Sequence, residues 1–361
     1  MSKLPLQIYT GKWNGGHIQG IAIDREKNYI YCSFTTEFVK LDMQGNLIGS
    51  VRGFTGHLGC MAYNAEDGRV YASLEYKNDI IGRGILDHMG IANDIKNAFY
   101  VAIFDVDKIT RPDMNAETDG VMTTVWLREV VEDYLAEWQE EGVVRKHRYG
   151  CSGIDGMTFA PAFEGQGMRL LVAYGIYGDL ERKDNDYQVL LSYRMESLKP
   201  HEAVLTAENV HTSGPDACDE RFFVYTGNTC FGIQNLEYDA YTGDIFAAVY
   251  KGEKPEYPNY DMFVIKGNQT PLIKELPGYY GEKCKVLKLQ ETGLCESGIY
   301  GYRFPFGQTG MFSLGDGRFY FSENHDIYGA EESHESDICL YRYTGEGPRG
   351  FEKLDGPAEK E

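Results

Sequence analysis

Gly16-His-Ile-Gln-Gly-Ile-Ala-Ile-Asp24 returns four more times with the same skeleton: Gly56-His-Leu-Gly-Cys-Met-Ala-Tyr-Asn64, Ser152-Gly-Ile-Asp-Gly-Met-Thr-Phe-Ala160, Phe231-Gly-Ile-Gln-Asn-Leu-Glu-Tyr-Asp239 and Phe306-Gly-Gln-Thr-Gly-Met-Phe-Ser-Leu314. Spaced self-similarity in a strand-rich chain marks a repeat architecture, because each copy buries its apolar surface only against its neighbours. A polar turn and a second apolar run follow each copy: Asn28-Tyr-Ile-Tyr-Cys-Ser-Phe34, Arg69-Val-Tyr-Ala-Ser-Leu74, Arg169-Leu-Leu-Val-Ala-Tyr174, Asp244-Ile-Phe-Ala-Ala-Val-Tyr250 and Arg318-Phe-Tyr-Phe-Ser322. The turns Glu66-Asp-Gly68, Tyr241-Thr-Gly243 and Gly315-Asp-Gly317 carry the Gly and Asp residues that tight hairpins require.

A third run completes the pattern at Phe38-Val-Lys-Leu-Asp42, Tyr100-Val-Ala-Ile-Phe-Asp105, Gln188-Val-Leu-Leu-Ser-Tyr193, Asp261-Met-Phe-Val-Ile265 and Ile338-Cys-Leu-Tyr-Arg342. A fourth precedes the next copy: Asn46-Leu-Ile-Gly-Ser-Val51, Val143-Val-Arg-Lys-His147, Arg221-Phe-Phe-Val-Tyr225 and Ile299-Tyr-Gly-Tyr-Arg303. Four antiparallel strands per repeat, rich in aromatic and β-branched residues, describe a propeller blade. The fold class expected is all-β: one five-bladed β-propeller over residues 1–361, its blades opening near residues 16, 56, 152, 231 and 306.

Leu6-Gln-Ile-Tyr-Thr10 is left over ahead of the first copy and is expected to close the last blade, in competition with Phe351-Glu-Lys-Leu354. Lys283-Cys-Lys-Val-Leu-Lys-Leu289 offers material for a degenerate sixth blade. A helical insertion is expected at about 120–142, where Leu127, Val130, Val131, Tyr134, Leu135 and Trp138 share one helical stripe with acids opposite. Residues 77–96 read as a loop with a helical turn near the channel mouth.

The chain carries 35 Lys+Arg against 55 Asp+Glu, a formal charge of −20, which excludes nucleic acid and anionic membrane as partners and leaves a small-molecule ligand or substrate. No apolar run reaches membrane-spanning length, and no basic-then-apolar start is present, so a cytoplasmic protein is expected. The eight cysteines show no Cys-x-x-Cys spacing and are expected as free, mostly buried thiols.

In a propeller the first strand of each blade is innermost, and its opening residues ring one mouth of the axis. Aligning the copies gives the column Gln19, Gly59, Asp155, Gln234 and Thr309, with His17, His57, Gly153, Gly232 and Gly307 two places before it. A second ring is expected at the far ends of the second strands: Thr35, Glu75, Tyr174, Lys251 and Glu323, with His325 and Asp326 beyond. Tyr174, Tyr177 and Tyr328 are the aromatics best placed to stack on a ligand, and Glu331-Glu-Ser-His-Glu-Ser-Asp337 reads as an acidic loop.

The oxygen-rich ring resembles, in position, the ion sites of calcium-dependent five-bladed apyrases and six-bladed lactonases. That resemblance implies a divalent cation, calcium by preference, held by Asp155, Gln19, Gln234 and Asn235 with water. His17 and His57 with Glu75, Glu323 or His325 offer a transition-metal alternative. For hydrolysis of a sugar-like or phosphorylated substrate, Asp155 with Glu75 or Glu323 would act as acid and base, with His57 as partner. His17, Gln19, Tyr174, Gln234, Asn235 and His325 would bind the ligand. The alternative is a non-catalytic propeller that binds a ligand or protein with the same face.

Overall fold

Each repeat opens on a hairpin because Asp, Asn or Gly stands where the chain must reverse between two apolar runs. At the first turn Asp24 Oδ1 accepts the backbone N–H groups of Glu26 and Lys27, and Asn28 takes a left-handed conformation (φ 59°). The structure is a computed structural model and describes residues 4–355, apart from 89, 93–95, 141, 207–208, 280 and 328–332.

Five of the sheets among the described residues are blades, each built on antiparallel strands. Blade one is Ile18–Asp24, Tyr29–Phe34, Glu37–Asp42 and Leu47–Arg52, with Met114–Asn115 added in parallel at its edge. Blade two is His57–Asn64, Arg69–Tyr76, Ala98–Phe104 and Met122–Trp126. Blade three is Cys151–Pro161, Met168–Ile176, Tyr187–Tyr193 and Glu220–Tyr225, and blade four is Thr229–Asp239, Asp244–Lys251 and Met262–Ile265. Blade five is Met311–Ser313, Arg318–Ile327 and Ser333–Tyr343. The inner strands contact one another in the order one to two, two to three, three to four, four to five and five back to one, which closes the ring of a five-bladed β-propeller.

Closure also explains the sequence pattern. An inner strand is covered on both faces by neighbouring blades, so Ile18–Asp24 is buried at every position and reads as a continuous apolar run. The core is divided accordingly into five clusters, one in each cleft between adjacent blades. Tyr31, Tyr71, Tyr174, Tyr193, Tyr260 and Tyr320 are among the largest fully buried side chains, so much of the tyrosine content fills these clefts.

Both candidates for the last outer strand are used. Gln7–Tyr9 pairs with residues 337–339 of blade five, and Phe351–Lys353 pairs with residues 341–343 of the same strand. Each covers half of the edge.

Elsewhere the structure departs from the sequence expectation. The fourth strand of blade two is Met122–Trp126; Val143–Lys146 instead forms a separate hairpin with Glu137–Glu140. The helix of the insertion is therefore confined to Arg128–Leu135. Only Glu132 of its acids faces water: Glu129 and Asp133 are buried and accept hydrogen bonds from the Tyr193 and Tyr174 hydroxyls. Lys283–Leu287 makes no sixth blade and lies in parallel against Glu220–Tyr225 on the outside of blade three. The outer position of blade four is filled only by bridges, Met262 to Tyr302 and Ile265 to Leu289, because Ile299–Gly301 pairs with Leu294–Glu296. Residues 333–337, read as loop, begin a strand, while Tyr328 and residues 331–332 lie outside the described residues. Residues 77–96 include a helix at Ile80–His88. All eight cysteines are free and five of them are buried. Among the described residues no helix is long and apolar enough to cross a membrane.

Candidate functional site at the axial mouth

The repeated motif is a β-bulge. Strand pairing slips between Ile18 and Gly20, Leu58 and Met61, Ile154 and Met157, and Ile233 and Asn235. A bulge re-aims the side chains at the slip, and here those are Gln19, Asp155 and Gln234. Small residues at the next motif position let the strands converge: a Cβ on Gly20 would lie 2.9 Å from the Cα of Cys60.

Two links join the blades here, Gln234 to Asp155 and Asn235 to the Gln19 backbone. The Gln234 amide donates to Asp155 Oδ2 at 3.1 Å and to Phe231 O at 2.9 Å. The Asn235 amide donates to Gln19 O at 2.8 Å and to Gln308 O at 2.9 Å, joining blades four, one and five. The Gln19 amide reaches Thr35 Oγ1 at 3.3 Å and His17 Nε2 at 3.1 Å. Thr309 Oγ1 and Ser322 Oγ meet at 2.9 Å. Gln19, Asp155 and Gln234 are buried, while His17, His57, Thr35 and Thr309 are half-buried and form a rim above them.

Glu75 stands beside this group on the second strand of blade two. Its Oε1 accepts the Ile154 N–H, and its Oε2 lies 2.7 Å from Lys77 Nζ and 3.8 Å from His57 Nδ1. Lys77 also donates to Ser152 O at 3.1 Å. Two glycines make the arrangement possible. A Cβ on Gly153, whose φ is +123°, would meet Glu75 Oε1 at 1.9 Å, and one on Gly59 would meet Asp155 Oδ1 at 2.7 Å.

Burial dominates the electrostatics. It raises the Asp155 carboxyl well above the usual range, the Glu75 charge raises it further, and Lys77 and the Gln234 amide oppose. Burial also raises Glu75, with Lys77 and the Ile154 amide drawing it back. For Lys77 burial opposes the charge, but Glu75 and Asp155 outweigh it and keep the ammonium protonated. Burial, Lys77 and His17 push His57 down to about 3, so its imidazole is neutral.

Three expected site residues stand apart from the ring. The Glu323 carboxylate takes the Tyr341 hydroxyl at 2.6 Å and Lys353 Nζ at 2.7 Å, on the outer strands of blade five. His325 pairs with Asp337 at 3.0 Å. Tyr174 is buried, with its hydroxyl on Asp133 at 2.8 Å. Lys77 escaped the sequence reading, since a lysine just past a strand end normally reaches solvent. Its following Asp79 and preceding Glu75 were the available signal.

The acidic part of the ring already holds the Lys77 ammonium, Asp155 receives an amide N–H, and among the described residues no three His, Cys, Asp or Glu side chains gather around a common point.

The molecule is thus a five-bladed β-propeller with a group of polar side chains at one mouth of its axis. No protein-family model matches the chain, and no curated protein matches it. Among solved structures it is similar to the Dos1 propeller, at 9% identity over 95% of this chain and 59% of that one, with a TM-score of 0.36. It is also similar to the Cps50 (Swd1) β-propeller domain of Myceliophteria thermophila, at 9% identity over 92% of this chain and 99% of that one, with a TM-score of 0.32. A third is a GH43 β-1,3-galactosidase solved with galactodeoxynojirimycin, at 11% identity over 91% of each chain, with a TM-score of 0.40. This chain spans 59% of the Dos1 propeller chain it matches. Likenesses this remote assign no activity.

Proposed function

We propose that this propeller binds a small, uncharged, polyhydroxylated molecule of sugar-like kind at the mouth formed by His17, Gln19, His57, Asp155, Gln234 and Thr309, without covalent chemistry. The observation that carries the reading is the commitment of Glu75: one oxygen holds the Ile154 amide and the other holds Lys77. A carboxylate so engaged is spent on the fold and is poorly placed to act as nucleophile or base. What remains at the mouth is two carboxamides, two imidazoles, that of His57 being neutral, threonine hydroxyls and the buried Asp155 carboxyl. Such groups donate to and accept from hydroxyls.

One observation favours hydrolysis as a second reading, namely that Asp155 is a buried carboxyl at the mouth whose burial raises it well above the usual carboxylate range. Asp155→Asn separates the two. If Asp155 serves only as a neutral hydrogen-bonding group, the variant binds a monosaccharide panel within about threefold of wild type, and neither protein cleaves nitrophenyl glycosides. His57→Ala with Gln19→Ala abolishes the binding. Glycoside cleavage by the wild type that disappears in Asp155→Asn would overturn the binding reading, as would a panel that binds neither protein.

A further inference from the structure

The opposite end of the axis holds a cavity of about 400 Å³, within the range of small-molecule sites. All five blades line it near the C-terminal ends of their inner strands, through Asp24, Tyr63, Phe159, Glu237 with Tyr238, and Phe312. The four rings are half-buried, so each presents part of its surface to the cavity. Glu237 is 7% exposed, an unusual acid in a motif column otherwise occupied by Ala22, Ala62, Thr158 and Phe312. One of its oxygens accepts the Ser313 N–H at 2.9 Å. Asp24 accepts the Tyr63 hydroxyl at 2.9 Å.

The charge of the lining is one-sided. Glu26 and Glu66 join Asp24 and Glu237, and the single cation among the lining residues, Arg25, directs a guanidinium N–H to Leu314 O. Aromatic faces attract cations through their quadrupoles, and carboxylates attract them directly. With four acids against one guanidinium in the lining, an anion is disfavoured.

We propose that this second mouth binds a small organic cation, an ammonium group on an apolar body, with Glu237 toward the charge and the four rings around the body. The site is separate from the polyol mouth and does not depend on it. Burial, reinforced by Asp239 and opposed by the Ser313 N–H and Thr158, pushes Glu237 up to about 8, so a bound cation favours loss of its proton. Asp239 on the same strand and Cys60 of blade two lie close to it, and Asp24, Arg25, Glu26, Tyr63, Glu66 and Tyr238 share the cavity lining. Asp239 is tied to Ser313 and Thr242, and the Cys60 thiol is held protonated by burial.

Titration calorimetry on the full chain tests this with benzyltrimethylammonium, benzyl alcohol and benzoate. The expected result is one site for the cation, roughly tenfold tighter than for the alcohol, no binding of benzoate, and an affinity for the cation that rises through pH 8. Glu237→Gln lowers the affinity for the cation roughly tenfold and leaves the alcohol unchanged. Phe312→Leu, which keeps apolar bulk but removes a ring, weakens the cation alone and serves if Glu237→Gln does not fold. Asp155→Asn at the other mouth changes nothing. Equal binding of cation and alcohol, binding of neither, or cation binding indifferent to both Glu237→Gln and Phe312→Leu would overturn the proposal.

Discussion

The carboxylate of Glu75 and the ammonium of Lys77 meet at 2.7 Å, with side chains only 2% and 10% exposed. Through the Ile154 N–H and Ser152 O the same pair grips the inner strand of blade three from blade two. Removing one partner leaves an uncompensated buried charge, which costs about 3–5 kcal/mol. Lys77→Met and Glu75→Gln are each expected to lower unfolding stability by about 3 kcal/mol in urea titrations. The double variant Glu75→Leu with Lys77→Met should lose less than the sum, because no lone charge remains.

Stability should fall on both sides of a plateau, for two different groups. His57 has a folded value near 3, below its ordinary 6.5, so the unfolded chain takes up a proton that the folded one refuses. Its contribution is present above pH 6.5 and is lost as pH falls toward 3. Glu237 has a folded value near 8, above its ordinary 4.5, so its contribution is present below 4.5 and is lost as pH rises through 8. Each limb has a slope of about 1.4 kcal/mol per pH unit where only its own group titrates. Urea melts across pH should show the alkaline limb flattened by Glu237→Gln and the acid limb flattened by His57→Gln.

Asn235 joins three blades with one amide, and its two acceptors are the buried backbone carbonyls of Gln19 and Gln308. Asn235→Ala strands both, at about 2–3 kcal/mol. Chemical denaturation measures the loss, and amide exchange at the inner strands of blades one and five should accelerate with it.

The blades were legible because the information was local. Asp, Asn and Gly mark each inner turn, and the runs between them are apolar on both faces, as the five clefts demand. Thr124-Val-Trp126 was hidden because Leu127, Val130 and Tyr134 carry a helical period that extends backwards over a short strand. The outer edge of blade four was illegible for another reason: Tyr302 and Leu289 reach it from distant segments, and no single run encodes it. At the mouth, Gln234 reaches Asp155 across two blades, while the Gln19 amide turns to His17 and Thr35 of its own blade. Alignment is silent about where second-strand side chains turn. Hence Glu323 and His325 went to partners within blade five, and Tyr174 went to the insertion helix. Glu237 stood in plain view as the odd acid in its column, but an alternating strand offers no cue that such a residue is buried.

Blade five draws its outer edge from residues more than three hundred positions apart, since residues 7–9 must wait for residues 337–339 before they can pair. On a ribosome the first segment emerges long before its partner exists, and four blades can assemble while that backbone is still bare. Locking the circle is then the final act of folding, and until it occurs the growing chain presents a sticky β surface that invites capture by a chaperone or by another copy of itself.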